Sequence, residues 1–134
     1  MSLPVLDAFD HVHIYVADRI RAEAWYQQVL GFTRSAELEF WAVDGGPLTL
    51  QNASGSVHLA LFQKANASAG PTVAFRVGAQ AFGDWRAHLQ RHEVSVDLQD
   101  HQVSLSLYFA DPDGNRYEIT TYDYASARDL LALN

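Results

Sequence analysis

The sequence predicts an α+β fold made of two tandem βαβββ modules, and three observations carry that prediction. A small-residue, turn-rich stretch at 63–71 divides the chain near its middle. Each side of it repeats one plan, a strand, a helix and then three extended segments. On five of the strands the strongly apolar positions share one parity: Val12, Ile14 and Val16; Val57, Leu59 and Leu61; Val73, Phe75 and Val77; Leu105, Leu107 and Phe109; Tyr117 and Ile119. A sheet covered by helices on one face produces that pattern. The opposite parity collects His, Tyr, Ser and Arg where a solvent face would be rich in Lys and Glu. Such a set suits a curved sheet around a polar cavity with aromatic walls.

In chain order, the first module (about 9–62) opens with a strand at 11–16. Asp18 is a helix N-cap, and the helix runs to Leu30 with Gly31 as its stop. Extended segments are expected at 33–43, 48–51 and 57–62, separated by turns at 44–47 and 52–55. The second module (about 72–123) starts with a strand at 72–77 and a helix at 80–92 that carries Phe82, Trp85 and Leu89 on one face. Strands follow at 94–98, 103–110 and 116–122, and a tail helix closes the chain within 124–134. Between the last two strands, Asp111-Pro112-Asp113-Gly114 reads as a type I turn, with proline pre-setting φ at its second position. Val103, Leu105, Leu107 and Phe109 are expected on the apolar face, and Ser104, Ser106, Tyr108 and Glu118 on the polar one. A carboxylate there needs a metal, a cation or a hydrogen-bond donor as partner.

Composition narrows the function. With 134 residues the chain suits one domain, and 49% hydrophobic with 19% charged residues describes a globular protein. Net charge is −7 with nine Lys plus Arg, so no electrostatic footprint for nucleic acid or an anionic membrane is expected. No apolar run reaches spanning length and no secretory signal is legible at the start, which makes a cytoplasmic location the default expectation. The absence of cysteine excludes disulfides, thiol nucleophiles and thiolate-held metals.

The Asp-His-Val-His-Ile-Tyr-Val-Ala-Asp stretch at 10–18, followed by Trp25-Tyr26 and Leu30-Gly31-Phe32, resembles the opening of the vicinal oxygen chelate superfamily. That group includes glyoxalase I, bleomycin resistance proteins, fosfomycin resistance enzymes and extradiol dioxygenases. Phe-Ala-Asp-Pro-Asp-Gly-Asn-Arg-Tyr-Glu at 109–118 resembles its closing motif, and the resemblance spans roughly 9–123. It implies a cup-shaped incomplete barrel around a divalent metal (Zn, Mn, Ni or Fe), a small-molecule substrate and a homodimer. Two histidines and a glutamate usually hold the metal. His11 matches the first histidine and Glu118 the glutamate, but the second histidine position is Thr72, and a further glutamate used by some relatives falls at Ala60.

Two functions follow from this incomplete set. In the first, an enzyme holds a metal through His11, Glu118 and a replacement drawn from His58, His13 or His101, and performs lyase, isomerase or dioxygenase-like chemistry. Glu118 and Tyr108 would then be catalytic. Substrate would lie against His13, Tyr15, Trp41, His58, Phe62, Thr72, Arg76, His101, Ser106 and Arg116. In the second, a metal-free protein of the bleomycin-resistance type binds its ligand between aromatic walls, with Arg116 and Arg76 neutralising Glu118. His88 and His92, four apart on a helix, read as an exposed face lacking a third ligand.

Overall fold

Hydrogen bonding in a computed structural model, which describes residues 3–43 and 45–133, arranges eight strands into two four-stranded mixed sheets of identical order. The chain divides between Ala65 and Asn66 into two units, each holding one sheet. Asp44, with which one expected turn begins, and the first two and last residues lie outside the described residues.

In the first unit β1 (Val12–Val16) runs parallel to β4 (His58–Gln63), which pairs antiparallel with β3 (Leu48–Gln51), and β3 pairs with the two-residue β2 (Thr33–Arg34). The helix α1 (Arg19–Trp25) starts where the sequence indicates: Asp18 Oδ1 accepts from the Ile20 and Arg21 N–H groups at 3.0 and 3.2 Å. It continues through a wider π turn at Tyr26–Leu30 and stops at Gly31, whose φ of 71° is the left-handed conformation glycine adopts without a Cβ clash. That turn buries Tyr26, Val29 and Leu30 against the apolar side of the sheet, where Ile14, Val16, Leu50, Leu59 and Leu61 are also buried. The expected strand over 33–43 is corrected. Only Thr33–Arg34 pairs, and Ala36–Trp41 winds into a 3₁₀ helix after Ser35. Ala, Glu and Leu are good helix formers, and β2 already occupies the sheet edge.

The second unit repeats the order. The strand β5 (Val73–Arg76) is parallel to β8 (Arg116–Thr121), followed outward by β7 (Leu105–Ala110) and β6 (Asp97–Asp100), both antiparallel. The helix α2 (Ala79–Arg91) buries Phe82 and Leu89, and α3 (Tyr124–Leu130) packs beside it. Asp123 Oδ2 accepts from the first N–H of α2 at 3.2 Å, linking the two helices at that end. The strand expected at 94–98 lies further along, at Asp97–Asp100. The hairpin after it uses 101–104, closed by His101 N–H donating to the Ser104 carbonyl at 2.9 Å. Val103 therefore sits at the hairpin tip, 67% exposed, and not on the apolar face, while Ser104 is buried. The Asp111 turn forms as the sequence indicates, with Gly114 N–H donating to the Asp111 carbonyl at 3.0 Å.

Candidate functional site

The two sheets can be aligned through their ladders. In the first unit Val12 opposes Leu59 and His13 opposes Ala60; in the second Val73 opposes Tyr117 and Ala74 opposes Glu118. Ala60 and Glu118 thus occupy equivalent positions on their fourth strands. His11 and Thr72 both immediately precede a first strand. The first unit keeps the imidazole and lacks the carboxylate, and the second unit does the reverse.

On the polar side of the first sheet the side chains form a connected row. Asp10 Oδ2 accepts from His11 Nδ1 at 2.7 Å, and His11 Nε2 lies 2.9 Å from His13 Nε2. The His13 ring rests on Phe62 with 4.7 Å between centroids, and Tyr15 follows at 5.8 Å from Phe62. Lys64 Nζ stands 5.8 Å over the Tyr15 ring, within reach of a cation–π attraction. A cleft of about 220 Å³ opens beside this row, lined by Asp10, His11, Leu38, Trp41, Pro47, Thr49, His58 and Ala60. The 3₁₀ helix brings Trp41 to this cleft. Arg19 guanidinium bonds to the Ala42 and Gly46 carbonyls brace the loop behind it.

On the polar side of the second sheet Glu118 lies between Ala74 and Tyr108 in register. The fully buried Ser106 hydroxyl donates to Glu118 Oε2 at 2.7 Å, and Thr120 Oγ1 stands 3.0 Å from the same hydroxyl. Tyr108 Oη and His101 Nε2 are 3.0 Å apart, with the rings edge to face. Burial, and then the nearby Glu118 charge, push the Tyr108 phenol above its ordinary value, so it remains a neutral hydrogen-bond donor through physiological pH. The expectation that Arg116 and Arg76 neutralise Glu118 is corrected for its own unit. Arg116 Nη2 donates to the Gly70 carbonyl at 3.0 Å. Arg76 opposes Thr120, one inward-facing pair beyond Glu118, and lines an open hollow with Val77, Gly78, Tyr122 and Asp123.

The structure therefore gathers His11, His13, Tyr15 and Phe62 into one row, with Trp41 and His58 across the adjoining cleft. It gathers His101, Ser106, Tyr108 and Glu118 into another. Thr72, Arg76 and Arg116 stand outside both groups, and Thr72 is exposed. Sequence reasoning missed Asp10 as the residue that orients His11. The signal was there: a carboxylate next to a strand-entry histidine. It also passed over Asp111 as a side chain; its buried carboxylate accepts from the Asp113 and Asn115 N–H groups and from Asn115 Nδ2 at 2.8–2.9 Å. Among the described residues of either unit, no three His, Cys, Asp or Glu side chains form a group able to hold a metal ion. The donors that are present, imidazole and carboxylate without thiolate, suit Zn, Mn, Ni or Fe.

Comparison with known proteins supports the fold throughout. Solved structures similar to this chain include an integron cassette protein from the mobile metagenome of the Halifax Harbour sewage outfall (22% identity, TM-score 0.75, covering 87% of this chain and 99% of that one). A glyoxalase/dioxygenase from Nostoc punctiforme matches at 19% identity and TM-score 0.66, covering 90% of this chain and 99% of that one. The fosfomycin resistance protein FosX from Listeria monocytogenes, complexed with Mn(II) and sulfate, matches at 12% identity and TM-score 0.69, covering 95% and 99%. No helix among the described residues is long and apolar enough to cross a membrane. The sequence model of one superfamily matches residues 8–119, so the chain belongs to the glyoxalase/bleomycin resistance protein/dioxygenase superfamily.

Proposed function

We propose that this protein binds a small oxygen-rich molecule and acts on it with the help of a divalent metal, as an isomerase, lyase or extradiol-type oxygenase. One observation carries the reading: both residues that match the superfamily's ligand pattern are held by a hydrogen-bonding neighbour. Asp10 accepts from His11 Nδ1, and Ser106 donates to one oxygen of Glu118. Metal ligands are commonly oriented by such neighbours, which also set the imidazole tautomer. His11 in the first unit and Glu118 in the second are each candidate ligands for such an ion, which when bound would supply Lewis-acid stabilisation of charge developing on substrate oxygens.

The remaining roles belong to the chain's own side chains. Tyr108, kept neutral, donates a proton or a hydrogen bond to a substrate oxygen, and His101 at 3.0 Å exchanges that proton. Phe62, Tyr15 and Trp41 offer flat apolar surfaces for stacking, while His58 offers a polar edge in the cleft. A homodimer is part of the proposal, and sedimentation or light scattering tests it.

A second reading, a metal-free small-molecule binder, is favoured by one specific observation: Thr72 stands where the ladder alignment calls for a second histidine. Elemental analysis together with thermal shifts against Zn²⁺, Mn²⁺, Ni²⁺ and Fe²⁺ separates the two. The enzyme reading expects a near-stoichiometric metal and a rise in melting temperature that His11→Ala and Glu118→Ala abolish. An unresponsive wild type leaves the binder.

A further inference from the structure

We propose that the hollow at the carboxyl ends of β5 and β8 is a binding site of its own, one that takes a small zwitterion of the α-amino-acid type. Arg76 holds its carboxylate, Asp123 its ammonium, and Tyr122 packs against its side chain. The hollow lies wholly within the second unit and follows from the topology there. Because β5 and β8 are parallel neighbours, their carboxyl ends lie side by side. The connections leaving them, 77–78 into α2 and 122–123 into α3, frame about 420 Å³ together with Arg76. Small-molecule sites commonly occupy about 300–1,000 Å³.

The charges decide what fits. Arg76 has no hydrogen bond or ion pair among the described residues, although Asp123 lines the same hollow. A guanidinium matches a carboxylate through two parallel N–H bonds. Asp123 Oδ2 accepts from the Ala79 N–H at 3.2 Å, which fixes the carboxylate and leaves Oδ1 to accept from a ligand. A simple anion is drawn to Arg76 but repelled by Asp123, and a simple cation meets the reverse. A ligand carrying both charges satisfies both groups. Tyr122, 63% exposed, adds a ring surface beside the pair. Gly78 keeps the floor open, since a Cβ there would stand 3.4 Å from Asp123 Oδ2.

In the first unit the same end of the sheet is closed by the chain itself. By the ladder alignment Arg76 matches Tyr15, and Tyr122 matches Lys64. There Lys64 Nζ covers the Tyr15 ring at 5.8 Å, so cation and ring answer each other. In the second unit the two residue types have changed sides, and Arg76 and Tyr122 make no such contact. The ligand takes the place that an internal pair fills in the first unit.

The test is ¹H–¹⁵N NMR of the full chain titrated with L-phenylalanine, phenylacetate and phenethylamine, which share a ring and differ in charge. L-phenylalanine should shift the amide signals of Val77, Gly78, Tyr122 and Asp123. It should bind at least about 10-fold more tightly than either half-ligand. Arg76→Gln should weaken L-phenylalanine by about 10-fold or more and leave phenethylamine no weaker. Asp123→Asn should weaken L-phenylalanine similarly and leave phenylacetate no weaker. Its amide oxygen still accepts from Ala79, so the fold persists, which circular dichroism checks. Phenylacetate binding as tightly as L-phenylalanine would make this a carboxylate site and overturn the zwitterion assignment. Shifts confined to the first unit, or none at these four amides up to about 10 mM, would overturn the site itself. Both results leave the metal-assisted reading untouched, because that reading concerns His11 and Glu118.

Discussion

Asp111 shows how much a single side chain can decide. Its buried carboxylate closes the turn from inside through three hydrogen bonds, leaving proline and glycine to set only the backbone angles. Replacing it with alanine leaves buried donors unanswered, and hydrogen bonds to a charged group are worth about 1.5–3 kcal/mol each. Asp111→Ala should therefore lower stability by at least about 2 kcal/mol in urea unfolding, and Asp111→Asn by less. Ser106→Ala removes the donor to Glu118 at 2.7 Å and should cost about 1.5–3 kcal/mol by the same reasoning. A loss under about 0.5 kcal/mol, the usual range for a surface change, would show that Glu118 does not depend on it. Tyr108 gives a titration prediction. Its phenol is raised, so the folded state holds this proton more tightly than the unfolded chain does. The associated stability is complete below the ordinary tyrosine value of about 10 and is lost as pH rises through the higher folded value. The difference in phenolate absorbance between wild type and Tyr108→Phe should place its ionisation above the ordinary tyrosine value of about 10.

At the scale of elements, legibility depended on whether one signal acted alone. The N-cap at Asp18, the stop at Gly31 and the Asp111 hairpin were legible because capping and turn chemistry are local. The segment 36–41 was not. Ala, Leu and Phe alternate there with two glutamates, a period that a strand or a short helix can present over six residues, and the missing edge partner decided the outcome. The β6 strand slipped because Asp100, not Val103, organises its hairpin: Asp100 Oδ1 accepts from the Gln102 N–H at 2.8 Å. The same carboxylate receives Tyr124 Oη at 2.8 Å and Arg128 Nη1 at 2.6 Å, tying α3 to the strand end. The Gln102 N–H first, then Tyr124 and Arg128, hold the Asp100 carboxyl below its ordinary range. Its contribution is thus present above about 3.9 and fades as pH falls through the lower folded value. The melting-temperature gap between wild type and Asp100→Asn should be open near neutrality and close in strong acid; a gap constant across that range would remove the role given to Asp100.

At the scale of the whole molecule, the parity of apolar residues exposed the repeat, because burial imposes period two on every strand regardless of neighbours. Which polar residues meet was not legible, since that depends on ladder register and ring packing. The His11–His13 contact and the departure of Arg116 to Gly70 are both of this kind. The ladder alignment also makes Thr72 a place to write a donor back. Thr72→His should tighten divalent-metal binding by about 10-fold or more, equivalent to at least about 1.4 kcal/mol, measured by dye competition. Unchanged affinity would remove Thr72 from the metal-assisted reading. The ladder alignment of Ala60 with Glu118 has a historical consequence. A βαβββ chain that pairs with an identical copy must keep every donor, because each loss is suffered twice by symmetry. Once two copies share one chain, selection can prune them independently, one retaining imidazole and the other carboxylate. In this chain the first unit holds an imidazole at His11 and the second a carboxylate at Glu118.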